Sequence, residues 1–295
     1  MIVLGVTATN GIDQELAAIL GARHVVVEHK LFPDGESYIR IPVDVSGEDV
    51  IVVQSTYKPQ DKHLIELLIA IDALRDLGAR RITVVIPYLA YARQDKRFRE
   101  GEGISIKTIL QTIRANGADD LIVVEIHKEE SLKFFRGRAI NIPSVYALAE
   151  YFKNMSNLLI LAPDKGALKR AKIFAELVNG ECDYLEKFRD RVTGEISVKP
   201  KSIDVKGKNV VIVDDIVSTG KTMALAARKA LENGALNVYA ACAHALLINN
   251  ALDLLKNSGI KEIIATNTVP VPKEVKTVSI APYIAKAIKE LYETR

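Results

Sequence analysis

The sequence has few cysteines, little net charge and no long apolar run, and each shortage excludes a class of protein. Cys182 and Cys242 are its two cysteines, too few and too far apart for a disulfide framework or a zinc site. A net charge of +3 gives no reason to expect a nucleic-acid or membrane partner. No apolar run approaches the length that spans a bilayer, and the first residues lack the basic and apolar segments of an export signal. We therefore expect a cytoplasmic protein.

The rest of the composition is that of an ordinary globular protein. Hydrophobic residues form 48% of the chain and charged residues 26%, which excludes extensive disorder. A length of 295 residues is sufficient for two domains, each with its own core.

Short apolar runs alternate with helical patterns along the chain. Runs typical of buried strands lie at 2–6, 50–53, 82–86, 121–126 and 158–161. Amphipathic helical patterns lie between them, for example at 12–20 and 62–77. The alternation predicts an α/β fold with a mainly parallel sheet, whose ligands bind at the carboxyl ends of the strands.

A Pro-Asp-Gly turn interrupts this pattern near the N-terminus. The turn, at 33–35, separates apolar runs at 24–29 and 38–41. Turn chemistry of this kind between two extended runs predicts a β-hairpin.

The second half of the chain repeats the first. The helix, Gly-Ala and strand pattern at 74–85 aligns with residues 230–241, and the apolar run 50–53 aligns with 210–213. A repeat this long indicates a duplicated domain. We therefore predict an N-terminal domain of residues 1–143 and a C-terminal domain of residues 144–295. The sequence leaves open which domain the helices at 144–153 and 281–293 pack on.

The most informative stretch is residues 208–225. A buried strand at 210–213 ends at Asp214 and Asp215, and a Ser-Thr-Gly-Lys-Thr loop at 218–222 leads into a helix. The N–H groups of a helix N-terminus attract an anion, while adjacent carboxylates accept hydrogen bonds from vicinal hydroxyls. A phosphate beside a diol is a sugar phosphate. On this stretch alone, acids that merely cap the turn after the strand remain an alternative.

The loop is not a nucleotide-binding P-loop, although its Gly-Lys-Thr matches the last three residues of that motif. The motif requires glycine at position 215, where this chain has Asp215. A carboxylate there would repel the β-phosphate of a nucleotide.

The stretch resembles the ribose-5-phosphate loop that type I phosphoribosyltransferases share with ribose-phosphate pyrophosphokinases. Two further motifs resemble the second family alone. Tyr-Ala-Arg-Gln-Asp-Lys at 91–96 is similar to its ATP-contacting stretch, and Phe-Pro-Asp-Gly-Glu at 32–36 to its adenine-recognition loop. In the first half, Gln54-Ser-Thr-Tyr replaces the acids of the sugar-phosphate loop, so only one half retains that site.

The resemblance implies two tandem, duplicated type I phosphoribosyltransferase-like domains, each with a mainly parallel sheet flanked by helices. It implies transfer of a diphosphoryl group from magnesium-ATP to O1 of ribose 5-phosphate, giving 5-phosphoribosyl 1-diphosphate and AMP and feeding nucleotide biosynthesis. It also implies a Mg²⁺ cofactor and a homo-oligomer, at least a dimer, in which the loop at 32–36 reaches the ATP site of the neighbouring subunit.

The resemblance assigns roles residue by residue. The expected ATP-binding residues are Phe32, Asp34, Glu36, Arg93, Gln94 and His127. The expected ribose 5-phosphate ligands are Asp214, Asp215, Ser218, Thr219, Gly220, Lys221 and Thr222. The expected metal-linked residues are His127 and Asp164, and the catalytic cations are Lys187 and Arg189.

Two other functions remain open. A phosphoribosyltransferase would consume the product named above, and a catalytically silent regulatory relative would retain the fold alone. Neither nucleic acid nor a membrane is an expected partner.

Overall fold

The computed structural model describes residues 1–189, 196–199 and 204–293. The chain forms two compact units, one of residues 1–143 with the segment from Ile280 onward and the other of residues 144–279. No helix in these described ranges is long and apolar enough to cross a membrane.

The first unit is built on a six-stranded parallel sheet. Its strands are β1 (Ile2–Gly5), β2 (Arg23–Val26), β5 (Asp49–Val53), β6 (Arg81–Ile86), β7 (Asp120–Val124) and β8 (Arg138–Ile142), and a separate hairpin contains β3 (Glu28–Leu31) and β4 (Ser37–Arg40). The sheet has the order β2-β1-β5-β6-β7-β8, and every pair is parallel. The predicted parallel sheet is confirmed.

Helices cover the sheet of the first unit because their apolar residues recur at helical spacing. The connecting helices are α1 (Ile12–Leu20), α2 (Gln60–Asp76) and α3 (Ser105–Ala115). Leu67, Ile71 and Leu74 of α2 are fully buried, as the predicted face requires. The helix ends before Gly78, whose φ of 82° is the left-handed conformation common at helix C-termini.

The hairpin is confirmed, but the single strand expected at 24–29 is two strands. Residues 23–26 pair with β1 in the main sheet, and residues 28–31 pair with β4 in a separate two-stranded sheet. The chain leaves the main sheet after Val27, so the apolar residues 25–27 belong to the main sheet and the exposed residues 28–31 to the hairpin.

The second unit repeats the architecture. Its main sheet contains β9 (Leu158–Ala162), β10 (Glu181–Tyr184), β13 (Asn209–Val217), β14 (Asn237–Ala245), β15 (Ile260–Thr266) and β16 (Val275–Val278), and a two-stranded sheet pairs β11 (Glu186–Arg189) with β12 (Ile196–Lys199). The order β10-β9-β13-β14-β15-β16 is that of the first unit position for position. Helices α4 (Val145–Phe152), α5 (Leu168–Val178), α6 (Lys221–Glu232) and α7 (Ala251–Lys256) flank the main sheet.

Alternate residues of β13 enter different cores. Val210 and Ile212 pack in a cluster with residues of α6 and α7, whereas Val211 and Val213 pack in another with residues of α4 and α5. Both faces of the strand are buried, because successive side chains point to opposite faces of a sheet. This explains why the strand is a continuous apolar run.

Helix α8 (Ala281–Glu293) belongs to the first unit, which answers the question that the sequence left open. It contacts α1 and β8, and its residues Ile284, Ile288 and Leu291 are buried. Near its end, the Tyr292 hydroxyl lies 3.0 Å from Thr83 Oγ1. Helix α4, in contrast, packs within the second unit.

The packing of α8 predicts that Ile288→Ala will destabilise the protein by about 2–5 kcal/mol, the usual effect of deleting a buried aliphatic side chain. Lys289→Ala, on the exposed face of the same helix, should change the free energy of unfolding by less than about 0.5 kcal/mol. Chemical denaturation measures both. Equal effects of the two substitutions would contradict the packing described here.

Candidate functional site

The two acids of the second unit lie within β13 and not after it. The strand extends to Val217, and Asp214 pairs in register with Cys242 of β14. Asp215 is buried, whereas Asp214 is partly exposed at the carboxyl end of the sheet. The extra strand length holds both carboxylates on rigid backbone, at the edge where ligands of parallel sheets bind.

The environment of Asp214 disfavours its charge. Burial, followed by the neighbouring Asp215 carboxylate, raises the pKa of Asp214 from 3.8 to about 7. Arg170 of α5 opposes this effect, since its Nη1 lies 3.6 Å from Asp214 Oδ1. Two adjacent carboxylates with one nearby cation form a site that would gain from hydrogen-bond donors or positive charge.

Arg170 was not among the residues predicted from the sequence. It lies on the helix that follows β9, and tertiary packing brings it to Asp214. In the sequence, a single arginine on a helix cannot be distinguished from a solvent-exposed arginine without a function.

The loop after β13 ends at a helix N-terminus, as the sequence indicated. Gly220 precedes α6 with φ 72°, a conformation that favours glycine, and a Cβ there would crowd Leu255 Cγ at 3.2 Å. Backbone N–H groups of Leu247 and Ile248 donate to the carbonyls of Val217 and Ser218 at 3.1 Å each. The loop is therefore anchored to its neighbour and has a geometry suited to an anion.

The polar residues of this loop differ in exposure. Ser218 and Thr222 are partly buried, and Thr219 and Lys221 are exposed. Lys221 is the first residue of α6, where a cation opposes the helix dipole.

Asp164 occupies the carboxyl end of the adjacent strand, β9. Its Oδ1 accepts from the N–H groups of Gly166, at 2.9 Å, and Ala167, at 3.3 Å. The residue therefore caps the short 3₁₀ turn Lys165–Ala167. The same bonds fix the orientation of its carboxylate, an oxygen donor of the kind that magnesium prefers.

The side chains of Lys187 and Arg189 lie outside the described part of the structure. Their backbone forms β11, which pairs with β12 in a two-stranded antiparallel sheet. Their catalytic role stays a prediction.

In the first unit, Arg93 and His127 follow the neighbouring strands β6 and β7 and are both exposed. Because these strands are parallel, the two loops lie at the same edge of the sheet. Each loop contains a non-glycine residue with positive φ two positions earlier, Tyr91 at 66° and Glu125 at 45°. Such backbone is uncommon and concentrates at functional sites.

Gln94 makes contacts within its own loop. Its Nε2 donates to Lys96 O and to Glu102 Oε2, at 3.1 Å each. Glu102 also accepts from the N–H groups of Phe98 and Arg99, and these bonds lower the pKa of Glu102. Sequence reasoning missed Glu102, which organises the loop around Arg93 from a position outside the motif.

The loop at 32–36 is the tip of the β3–β4 hairpin. Phe32 N donates to Glu36 O at 2.8 Å, and Gly35 N donates to Phe32 O at 2.9 Å. The Phe32 ring is 42% exposed and meets Tyr38 edge to face at 6.1 Å between centroids. Asp34 and Glu36 are exposed beside it. An exposed aromatic ring and two exposed carboxylates on one hairpin tip supply the groups needed to stack on a base and accept from its amino group.

Comparison with known proteins finds matches along nearly the whole chain. Residues 1–117 match the model of the N-terminal domain of ribose phosphate pyrophosphokinase, and residues 145–247 match that of the phosphoribosyl transferase domain. Ribose-phosphate pyrophosphokinase from Sulfurisphaera tokodaii is 51% identical over 98% of this chain and 100% of its own length. The namesake protein from Methanopyrus kandleri is 41% identical over 99% of each chain.

A solved structure has the same fold. The crystal structure of phosphoribosylpyrophosphate synthetase from Mycobacterium smegmatis superposes with a TM-score of 0.89 at 30% identity, covering 100% of this chain and 99% of the other. The predicted fold, with its phosphoribosyltransferase-like domains, is confirmed.

The raised pKa of Asp214 predicts that Asp214→Asn will stabilise the protein without ligand at pH 8 but not near pH 4. The folded protein holds this proton more tightly than the unfolded chain, so stability is lost as the pH rises from 3.8 to about 7. The asparagine variant has no such loss. Melting temperatures measured across this range should diverge from those of the wild type, whereas Glu176→Gln, at an exposed carboxylate, should show no pH-dependent difference. Parallel curves for Asp214→Asn would contradict the raised pKa of Asp214.

Proposed function

The chain belongs to the ribose-phosphate pyrophosphokinase family, and from this membership we propose that it transfers the diphosphoryl group of magnesium-ATP to O1 of ribose 5-phosphate. The products are 5-phosphoribosyl 1-diphosphate and AMP. The observation that carries the proposal is the paired carboxylates of Asp214 and Asp215 next to a glycine-capped helix N-terminus.

The second unit supplies the acceptor site in this proposal. Asp214 and Asp215 accept hydrogen bonds from the ribose hydroxyls, and binding of these donors compensates the crowding of two carboxylates. The 5-phosphate binds at residues 218–222, where N–H groups of the first turn of α6 and the hydroxyls of Ser218, Thr219 and Thr222 can donate. Recognition of a diol and a phosphate by adjacent groups would select a sugar phosphate.

The first unit supplies groups for ATP. Phe32, Asp34 and Glu36 recognise adenine, and Arg93 and His127 donate to phosphate oxygens. Gln94 has two possible roles. Its Nε2 donates to the same phosphates once its hydrogen bond to Glu102 is broken, or it keeps that bond and fixes the loop that carries Arg93.

Attack on the β-phosphorus gathers negative charge on phosphoryl oxygens, so positive charge and alignment dominate the catalysis. Arg93, Lys187 and Arg189 supply protein cations. Magnesium bound with ATP would supply positive charge that offsets the charge of the phosphates. Asp164 is suited as an oxygen donor to the metal because its carboxylate is oriented at the carboxyl end of β9; the nitrogen of His127 suits the phosphates better than a hard cation.

The alternative functions receive less support. A phosphoribosyltransferase would not need the hairpin tip at 32–36 or the loop around Arg93. In the first unit, Gln54 follows β5 at the position that Asp214 has in β13, and it is fully buried, so that half has no diol-binding carboxylates there. A silent relative would lack site residues, whereas Asp164, Asp214 and Asp215 stand at strand ends facing the ligand edge.

We also propose that two copies of the chain share the ATP site. The exposed Phe32 ring at the tip of a hairpin, separate from the main sheet, is suited to reach a neighbouring subunit. Homo-oligomerisation would then be necessary for activity.

The proposed activity predicts AMP formation from ATP only when ribose 5-phosphate and Mg²⁺ are both present. Chromatographic separation of nucleotides measures the AMP formed.

Lys187→Ala should lower kcat strongly and change the KM values little, because the charge of Lys187 acts in the transition state. AMP release without the sugar phosphate would overturn the proposal, and a normal kcat for Lys187→Ala would remove this residue from the mechanism.

Lys221 generates a separate prediction. A cation at a helix N-terminus costs about 0.3–1 kcal/mol, and a dianionic 5-phosphate would offset that cost. Lys221→Ala should therefore raise KM for ribose 5-phosphate, leave KM for ATP nearly unchanged and weaken the salt dependence of sugar binding. Lys229→Ala, on the same helix but in its last turn, is the matched control. An unchanged KM for ribose 5-phosphate would make Lys221 a solvated surface residue.

A further inference from the structure

Glu66 has a buried carboxylate at the junction of three elements of the first unit. Its side chain is fully buried. Thr7 Oγ1 donates to its Oε2, and Ser37 Oγ donates to its Oε1 at 2.8 Å. His29 Nε2 lies 3.3 Å and Lys62 Nζ 3.2 Å from the same Oε1. A buried carboxylate persists when it has hydrogen bonds and a cation, and this one has both.

The partners of Glu66 come from separate parts of the chain. Thr7 lies in the loop after β1, Lys62 one turn earlier on α2, and His29 and Ser37 on the two strands of the hairpin. The carboxylate therefore ties both strands of the hairpin to α2 and to the ligand edge of the sheet. Ile39 of the hairpin also packs against the main core.

A second buried polar side chain, that of Gln54, fixes Thr7, one of the donors to Glu66. Its Oε1 accepts from the N–H groups of Thr7 and Ala8 at 2.9 and 2.7 Å, and its Nε2 donates to Thr7 Oγ1 and to His63 O at 3.1 Å each. Every donor and acceptor of the carboxamide is used. Gln54 stands where Asp214 stands in the second unit, so the position that binds sugar there holds Thr7 against α2 here.

The hydrogen bonds around Glu66 favour the ionised form of its carboxylate. Burial raises the pKa of the group, but hydrogen bonds from Thr7, Ser37 and Lys62 outweigh it and lower the pKa. Hydrogen bonds to an ionised group are stronger than those between neutral groups. The link from Ser37 to Glu66 is therefore among the stronger contacts that hold the hairpin.

We propose that Glu66 and Ser37 are positioning residues for ATP: they fix the β3–β4 hairpin on α2 and so hold the Phe32 ring in the orientation that stacks on adenine. The first unit has thus converted its sugar-binding position into a support for the nucleotide-binding loop. This inference rests on the proposed contact of Phe32 with adenine. Neither residue touches the substrate.

The test is equilibrium binding of magnesium-ATP to Ser37→Ala, measured by calorimetry without ribose 5-phosphate. Loss of one charge-assisted hydrogen bond should weaken ATP binding about five- to tenfold. Ser37→Thr, which keeps a hydroxyl in a strand, should restore affinity to within about twofold. Arg40→Ala, which removes the exposed Arg40–Glu28 pair of the same hairpin, should also have less than about a twofold effect.

A double-mutant cycle separates positioning from general stability. If Ser37 acts through Phe32, Ser37→Ala should add almost nothing to the loss of ATP affinity already caused by Phe32→Ala. The KM for ribose 5-phosphate should be unchanged in all these variants. Glu66→Gln should weaken ATP binding more than Ser37→Ala, since it affects every bond of the network.

Two outcomes would overturn the inference. One is an ATP affinity of folded Ser37→Ala within about twofold of the wild type, since a lost charge-assisted bond should cost more. The other is full additivity of Ser37→Ala and Phe32→Ala. The proposed function fails independently, by absence of AMP formation in the wild type, because ATP binding by the hairpin variants is measured without the reaction.

Discussion

The parallel arrangement of strands is the constraint on which the rest of the structure depends. Parallel neighbours require crossover connections, which cover both faces with helices and bring every strand's carboxyl end to one edge. In the second unit, this edge collects Asp164 after β9 and the acids of β13. In the first, it collects the loops that contain Arg93 and His127. The topology of the sheet therefore brings residues that are far apart in the chain to the same edge.

The two units of this duplicated scaffold differ at the aligned positions Gln54 and Asp214. Within β13, the third strand in the sheet order, the second unit has Asp214, partly exposed and electrostatically crowded. The first unit has Gln54, fully buried and with all its hydrogen bonds used inside the protein. A carboxylate crowded by a second carboxylate gains from added donors, whereas a satisfied carboxamide stabilises its surroundings. The proposed sugar site therefore lies in one unit, and the proposed support for the hairpin lies in the other.

The sequence predicted more of the fold than of the site. Apolar periodicity located the parallel strands, and Pro-Asp-Gly located the hairpin, because both signals are local. The division of residues 24–29 into two strands was missed, because the chain turns at Val27 without glycine or proline. Arg170, Glu102 and Glu66 were also missed as site residues. Each of the three either contacts a partner that is distant in sequence or lies outside the recognised motifs. The residues around each are those of any charged helix or loop.

The sequence by itself determined the α/β class, the duplication, the glycine-capped loop after Asp215 and the family to which the motifs belong, since all of these follow from residue order within short windows. Only the tertiary structure decided that β13 extends through Asp214 and Asp215, that α8 packs on the first unit, and that Glu66 joins the hairpin to α2. The reason is physical: burial, charge crowding and satisfied hydrogen bonds depend on which distant segments pack together, and local pattern does not encode that packing.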